Sequence, residues 1–304
     1  MKIEKCRICK KKKFSSLFTL GNLSFTGKFA KNSSISIPRK NVSLIICDNC
    51  KLVQLDQNFS PKYLYGKDYG YRTGINQTMT NHVKMIVKEA QKISQIEKGD
   101  YVLDIASNDG SLLKYYHKNI ITFGIDPILE KYKDKYKSID YKISDFFSAD
   151  KVRSKIKKKF KIITALSVFY DTLNPNKFLK DIKKILSQEG VFLLEFADLA
   201  SIVKYKMFDT ICHEHLEYYS SKVILNLCKK NKLRVFDIKK NDINGSSKQY
   251  YVCHVESKIR PNKETIIREL NNEKKLKLSK VSTFKNFINS IDKLKKQLNI
   301  LIKK

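Results

Sequence analysis

Tyr101-Val102-Leu103-Asp104-Ile105-Ala106-Ser107-Asn108-Asp109-Gly110-Ser111 is the stretch whose reading decides the fold. An apolar run that ends in an acid and passes through a small, polar turn reads as a buried strand feeding a helix. We place the strand at 101–106 and the helix at 111–116. Such a turn points backbone N–H groups at a carboxylate or phosphate. A second strand, 120–125, ends in Asp126, placed to accept both hydroxyls of a ribose. Apolar runs follow at 162–166 and 191–195, separated by a helix over 176–186 that Gly190 caps. Strands alternating with helices predict an α/β fold with a parallel sheet and right-handed crossovers.

The remaining segments group around this core. Before it, residues 62–98 are Tyr-rich and then helical, with Met79, Val83, Ile86, Val87 and Ala90 on one stripe and Gly99-Asp100 as the stop. After it, 233–238 and 249–255 read as two strands joined at Asn244-Gly245. From Glu264 the chain is Lys-rich and helical, with an apolar stripe running from Leu270 through Phe284, Phe287 and Ile291 to Leu301.

Composition narrows the class. A chain of 304 residues, 42% hydrophobic with 17 Phe and 16 Tyr, can bury one large or two modest cores. No run of eighteen apolar residues or leader-like N-terminus occurs, so neither membrane insertion nor secretion is expected. The net charge of +31 raises nucleic acid as a partner. Only seven of the 61 basic residues are Arg, the residue that phosphate clamping and base readout favour, so we read the lysines as solvated surface. Seven cysteines, four of them in tight pairs, fit a reduced cytoplasmic protein better than a disulfide framework.

Cys6-x-x-Cys9 and Cys47-x-x-Cys50 are two knuckles whose thiolates can converge on one tetrahedral zinc. Four thiolates close the coordination shell, so this site is expected to be structural. The 104–111 turn lacks the dinucleotide pattern, because Ala106, Asn108 and Ser111 stand where that fingerprint has glycine. Its spacing resembles the class I methyltransferase motif. There, the acid Asp104, the turn at Ala106 and Asn108, and Gly110 would hold the amino-acid end of S-adenosylmethionine. Asp145 and Phe146 would offer a polar group and a ring to the adenine. Downstream lies Cys212-His213-Glu214-His215-Leu216-Glu217-Tyr218-Tyr219. Its histidines lack the i, i+4 spacing of a metalloprotease helix. A His-x-His metal pair and a core histidine are alternatives. A carboxylate beside an imidazole also suits a general base working near neutral pH.

Together the cysteine pairs, the run 68–77 (Asp-Tyr-Gly-Tyr-Arg-Thr-Gly-Ile-Asn-Gln), the 104–110 turn and the run 208–219 carry a family resemblance. The chain resembles the sugar C-methyltransferases that act on nucleotide-linked 4-keto-deoxyhexoses, over about residues 4 to 260. The resemblance implies a zinc-binding module at 1–61, a helical connector at 62–98 and a class I methyltransferase domain at 99–258, with a mixed, mainly parallel seven-strand Rossmann-like sheet. It also implies catalytic work for His215, Glu214, His213 and Tyr71. His215 would take the proton beside the ketone, Glu214 would orient it, and Tyr71 would donate to the oxygen. This chain departs from the pattern at Cys212, where relatives carry Tyr, and at Gly245-Ser246-Ser247 with Gln249, where Gly-Gly-Ser and an Arg are usual. Relatives continue into a nucleotide-gripping C-terminal domain, so 259–304 reads as the start of one that a separate chain would supply. Alternative expectations are an RNA or protein methyltransferase and a non-catalytic remnant.

Overall fold

The computed structural model describes residues 2–303 except 28, 29, 31, 33, 67 and 68, so Asp68 of the 68–77 motif lies outside the described residues. The N-terminal region forms strands β1 (Phe14–Ser24), β2 (Arg39–Cys47) and β3 (Val53–Leu55), then the single turn α1 (Pro61–Leu64). In β2, alternate residues Val42, Leu44 and Ile46 point inward, the period of two that a half-buried strand requires. Helix α2 (Gln77–Ser94) begins where the Asn76 side chain accepts from the Met79 N–H, and stops at Gln95 in a left-handed conformation. It occupies the later part of the 62–98 connector, after the Tyr-rich stretch.

Beyond α2 the chain alternates: β4 (Tyr101–Ile105), β5 (Ile121–Ile125), β6 (Tyr141–Ile143), α3 (Ala149–Lys155), β7 (Phe160–Leu166), α4 (Pro175–Ile185), β8 (Leu186–Phe196) and α5 (Leu199–Tyr205). The two-residue β9 (Glu217–Tyr218), α6 (Ser221–Lys230), β10 (Leu233–Asn241) and β11 (Ser247–His254) follow. Helices α7 (Lys263–Leu276) and α8 (Val281–Ile302) close the described chain. The large sheet has seven strands in the order β10-β11-β8-β7-β4-β5-β6. Pairs β4–β5, β5–β6, β4–β7 and β7–β8 are parallel, while β11 runs antiparallel to both of its neighbours. Strand order reverses between β4 and β7, which opens a crevice at their carboxyl ends where ligands of α/β proteins bind.

Residues of α3, α4 and α6 pack one face of this sheet and α2 the other. The cysteine knuckles join the first of these cores: Cys6, Ile8, Cys47 and Leu52 pack with α4 and α6. A third core lies under the smaller sheet, ordered β1-β2-β3-β9, and takes Phe284, Phe287 and Ile291 from α8.

Three local expectations are corrected. The helix expected at 111–116 is only a 3-10 turn, Leu113–Tyr115. The backbone is left-handed at Ala106, Asn108 and Gly110, and the residues after them form only that single turn before β5. Gly190 is not a helix cap but lies inside β8. The chain passes from α4 straight into that strand at extended Leu186, so no left-handed residue is needed. The Lys-rich C-terminal stretch is two helices, divided where Lys277 turns left-handed.

Candidate active site

The turn after β4 is rigid although two of its left-handed residues are not glycine. Ala106, Asn108 and Gly110 have φ of 57°, 51° and 72°. A Cβ in this region is disfavoured, and neighbouring hydrogen bonds hold it there. Asn108 donates its backbone N–H to Asp126 Oδ2 (2.8 Å), its side-chain oxygen accepts from the Thr73 N–H (2.9 Å), and its amide donates to the Tyr71 carbonyl (3.1 Å). The Tyr136 hydroxyl donates to the Asn108 carbonyl (2.9 Å). Gly110 faces Tyr136 and Ile139, whose Cδ1 would sit 2.6 Å from a Cβ, and so it shapes the turn from behind without lining the cavity.

The turn edges a cavity of about 900 Å³. That volume is near the upper end of small-molecule sites and leaves room for a nucleoside-sized ligand and a second molecule. Asp104, Ala106, Asn108, Asp126, Asp145 and Phe146 all line it. Asp126 Oδ1 accepts from the Ile128 N–H and Oδ2 from the Asn108 N–H, both at 2.8 Å. Each oxygen keeps a lone pair for a ribose hydroxyl. Burial pushes this carboxyl up to about 6, against the pull of those two amides. Burial likewise brings Asp104 up to about 7, opposed by the Thr164 hydroxyl that donates to it at 2.6 Å. Asp145 is half exposed, and the Lys151 ammonium 2.5 Å away holds its carboxyl low.

The two histidines of the His-Glu-His run point to different places. His215 lines the cavity with Glu214, whereas His213 is fully buried elsewhere. The His213 ring lies 4.5 Å from Phe25 and 4.9 Å from Phe59, and its Nε2 donates to the Lys40 carbonyl of β2 (3.0 Å). His213 therefore anchors the loop to the small sheet.

His215 Nδ1 donates to the Thr210 carbonyl at 2.6 Å. A carbonyl can only accept, so Nδ1 carries a proton and Nε2 is the atom free to exchange one. Burial pushes the imidazole down, but Cys212 beside it and Asp171 outweigh burial and bring it up to about 10. Burial raises the Glu214 carboxyl, with His215 opposing.

Tyr71 lines the cavity and is 47% exposed. Tyr65, Tyr69 and Tyr170 join it, and burial raises all three phenols, which keeps them as hydroxyl donors.

Several cavity residues were missed by the sequence reading. Tyr170 and Asp171 follow β7, and Glu195 is near the end of β8. Their signal was position at the carboxyl ends of parallel strands. Glu195 accepts from His82 Nε2 (2.7 Å), Asn241 Nδ2 (2.9 Å) and Gln249 Nε2 (2.7 Å). His82 was a polar residue beside the apolar stripe of α2.

The four knuckle sulfurs all lie within 4.8 Å of one another, with Cys6–Cys50 at 3.5 Å and Cys9–Cys47 at 3.4 Å. A tetrahedral zinc at its usual bond length sets thiolates about 3.8 Å apart, so the cluster fits that ion. Bound there, zinc would tie together the 6–9 and 47–50 knuckles, with Cys6, Cys9, Cys47 and Cys50 as its ligands.

Known protein families match this chain in two regions. A family model described as "Putative zinc binding domain" matches residues 6–65, and one described as "Methyltransferase domain" matches residues 79–237. The chain is 21% identical over 309 residues to the C-methyltransferase NovU of Streptomyces niveus, covering 99% of this chain and 72% of that protein. Among solved structures, an S-adenosylmethionine-dependent methyltransferase from Clostridium acetobutylicum ATCC 824 aligns with a TM-score of 0.46 and 14% identity, over 58% of this chain and 92% of that one. The magnesium protoporphyrin IX methyltransferase of Synechocystis PCC 6803, with bound S-adenosylhomocysteine, aligns at 0.44 and 13%, over 64% and 92%. The methyltransferase match spans more than half of the chain and the strands that build the cavity, so this protein belongs to the methyltransferase-domain family and is an S-adenosylmethionine-dependent methyltransferase.

Proposed function

We propose that the protein methylates a carbon beside the ketone of a nucleotide-linked 4-keto-deoxy sugar. The observation that carries this reading is the presence of His215, Glu214 and four tyrosines on the same cavity as Asp104 and Asp126. A methyl acceptor that is already nucleophilic needs no such base; a carbon acid does. The C-methyltransferase relative supports carbon as the acceptor.

S-adenosylmethionine, when bound, supplies an electrophilic methyl group. Asp126 would take the ribose hydroxyls, Asp104 would face the amino-acid end, and Phe146 would cover the adenine. His215 Nε2 would remove the proton next to the ketone, a step worth roughly 10²–10⁴-fold. The carbon acid is far weaker than imidazolium, so hydroxyl donors such as Tyr71 and its neighbours would stabilise the enolate oxygen. The enolate carbon would take up that methyl group, S-adenosylhomocysteine would be the leaving product, and His215 would keep the sugar proton. Glu214 would orient the imidazole or the substrate. His213, bonded to Lys40, would act only by holding the loop. Residues 1–61 would serve as the zinc-binding module and 99–258 as the catalytic domain.

Incubation with a panel of nucleoside-diphosphate 4-keto-deoxyhexoses in heavy water tests this. Deuterium should enter at the carbon beside the ketone without cofactor, and one methyl should be added with it. His215→Ala should lose both activities while still binding S-adenosylhomocysteine. Deuterium entry that is unchanged in His215→Ala would remove the histidine from the reaction.

A further inference from the structure

Arg7 stands between the first two cysteines of the metal cluster, yet its side chain reaches away from them into the protein and is 3% exposed. Its Nη1 donates to Gln54 Oε1 (3.1 Å), the Leu55 carbonyl (2.9 Å) and the Leu216 carbonyl (3.3 Å). Nη2 donates to the Gln57 carbonyl (2.8 Å) and Asn58 Oδ1 (2.7 Å), and Nε to Asn58 Oδ1 (3.2 Å). Nε also lies 3.5 Å from Glu217 Oε1, in a pair buried on both sides. These partners fall into two groups. One is the β3 region of the small sheet; the other is Leu216 and Glu217, directly after His215.

The rest of that segment is held by the same module. β9 pairs with β3 through Val53–Tyr218 and Gln54–Glu217, and the Leu55 N–H donates to the Leu216 carbonyl at 2.9 Å. From the catalytic side, the Leu216 N–H donates to the Tyr170 carbonyl at 2.8 Å. The Leu216 peptide is thus fixed from both directions, and the residue before it is His215.

We propose that Arg7 is a positioning residue that ties the four-cysteine centre to the backbone of Leu216, the residue after His215, and so sets where that imidazole stands in the cavity. The proposal rests on the reading of His215 as the proton-transfer group. A planar guanidinium can serve both groups of acceptors at once, whereas a lysine ammonium is a point charge that cannot. Metal occupancy then governs proton transfer through the knuckle that carries Arg7, with no direct contact between metal and substrate. The cofactor turn at 104–111 makes none of these contacts, so cofactor binding is separable from it.

The test uses the zinc-loaded full chain with ¹⁵N-labelled histidine. Arg7→Lys should shift both His215 ring-nitrogen resonances while leaving those of His82 and His254 in place. S-adenosylhomocysteine affinity and zinc content should be retained, and turnover should fall about 100-fold, the usual cost of a misplaced catalytic group. Stripping zinc from the unmodified protein with a chelator should move the same His215 resonances. His215 resonances that stay put in either experiment would overturn the proposal. Equal movement of His82 together with lost cofactor affinity would also overturn it, because that pattern is general unfolding. The spectra need no substrate, so failure of the keto-sugar reading would leave this result standing.

Discussion

At Asp126 both carboxylate oxygens already accept backbone amides, yet burial still lifts the carboxyl to about 6, and Asp104 beside it to about 7. The cofactor carries an ammonium group and ribose hydroxyls, all of which favour the ionised form and lower both values in the complex. Affinity for S-adenosylhomocysteine should therefore climb as pH rises through 6 and 7 and level off above. Calorimetry in buffers of different ionisation enthalpy should detect the released protons; a flat profile would place the cofactor away from these groups. Asp126→Asn should weaken binding about tenfold or more. His215 gives a second rising limb, at higher pH. Cys212 and Asp171 hold its proton to about 10 against burial, so kcat/KM should rise with pH toward that value. Cys212→Ala removes the larger of these two attractions, and the limb should move to lower pH; an unmoved limb would mean that another group titrates.

The element that joins the two halves of the site is the segment 72–74. Arg72 Nε donates to Asp109 Oδ2 (3.0 Å), the Thr73 N–H to Asn108 Oδ1 (2.9 Å) and the Gly74 N–H to Asp109 Oδ2 (3.1 Å). This docking places Tyr71 at the cavity beside the cofactor turn. It requires glycine at 74, because a Cβ there would meet Asp109 Oδ2 at 2.5 Å and Ser111 Oγ at 2.6 Å. Gly74→Ala should cost about 1–3 kcal/mol in urea unfolding and weaken S-adenosylhomocysteine binding. Wild-type stability in that variant would show that the segment is not docked in solution. The motif 68–77 was visible in the sequence as a pattern. Its partner was not, since the contact spans more than thirty residues and has no local periodicity.

Across the whole molecule, the C-terminal helices belong to the body. Lys248, the sole buried lysine among the described residues, lies 3.1 Å from Asp198 Oδ1, 3.1 Å from Glu269 Oε2 and 3.2 Å from Glu273 Oε1. It thereby links β11, the start of α5 and helix α7. Lys248→Met would leave three buried carboxylates uncompensated and should destabilise the protein by about 3–5 kcal/mol. A loss below about 1 kcal/mol by urea titration would mean that α7 is not clasped in solution. The other described lysines stay out of the buried core, in keeping with their reading as solvated surface. Among the described residues no helix is long and apolar enough to cross a membrane.

By itself the sequence determined the main run of parallel strands, the acids Asp104 and Asp126 near the ends of two of them, and the four clustered cysteines. Each of these depends on local hydrophobic runs or short fixed spacings, which a chain displays without folding. Only the tertiary structure showed that the two histidines part, His215 to the cavity and His213 to the small sheet. That parting is made by the Lys40 carbonyl and Phe25 on one side and Thr210 and Tyr170 on the other. It likewise brought in Asp171, Glu195 and His82, and placed Arg7 between the four-cysteine cluster and the loop that carries His215. These placements arise from contacts between distant segments, and no periodicity in the chain encodes which distant backbone group a side chain will meet.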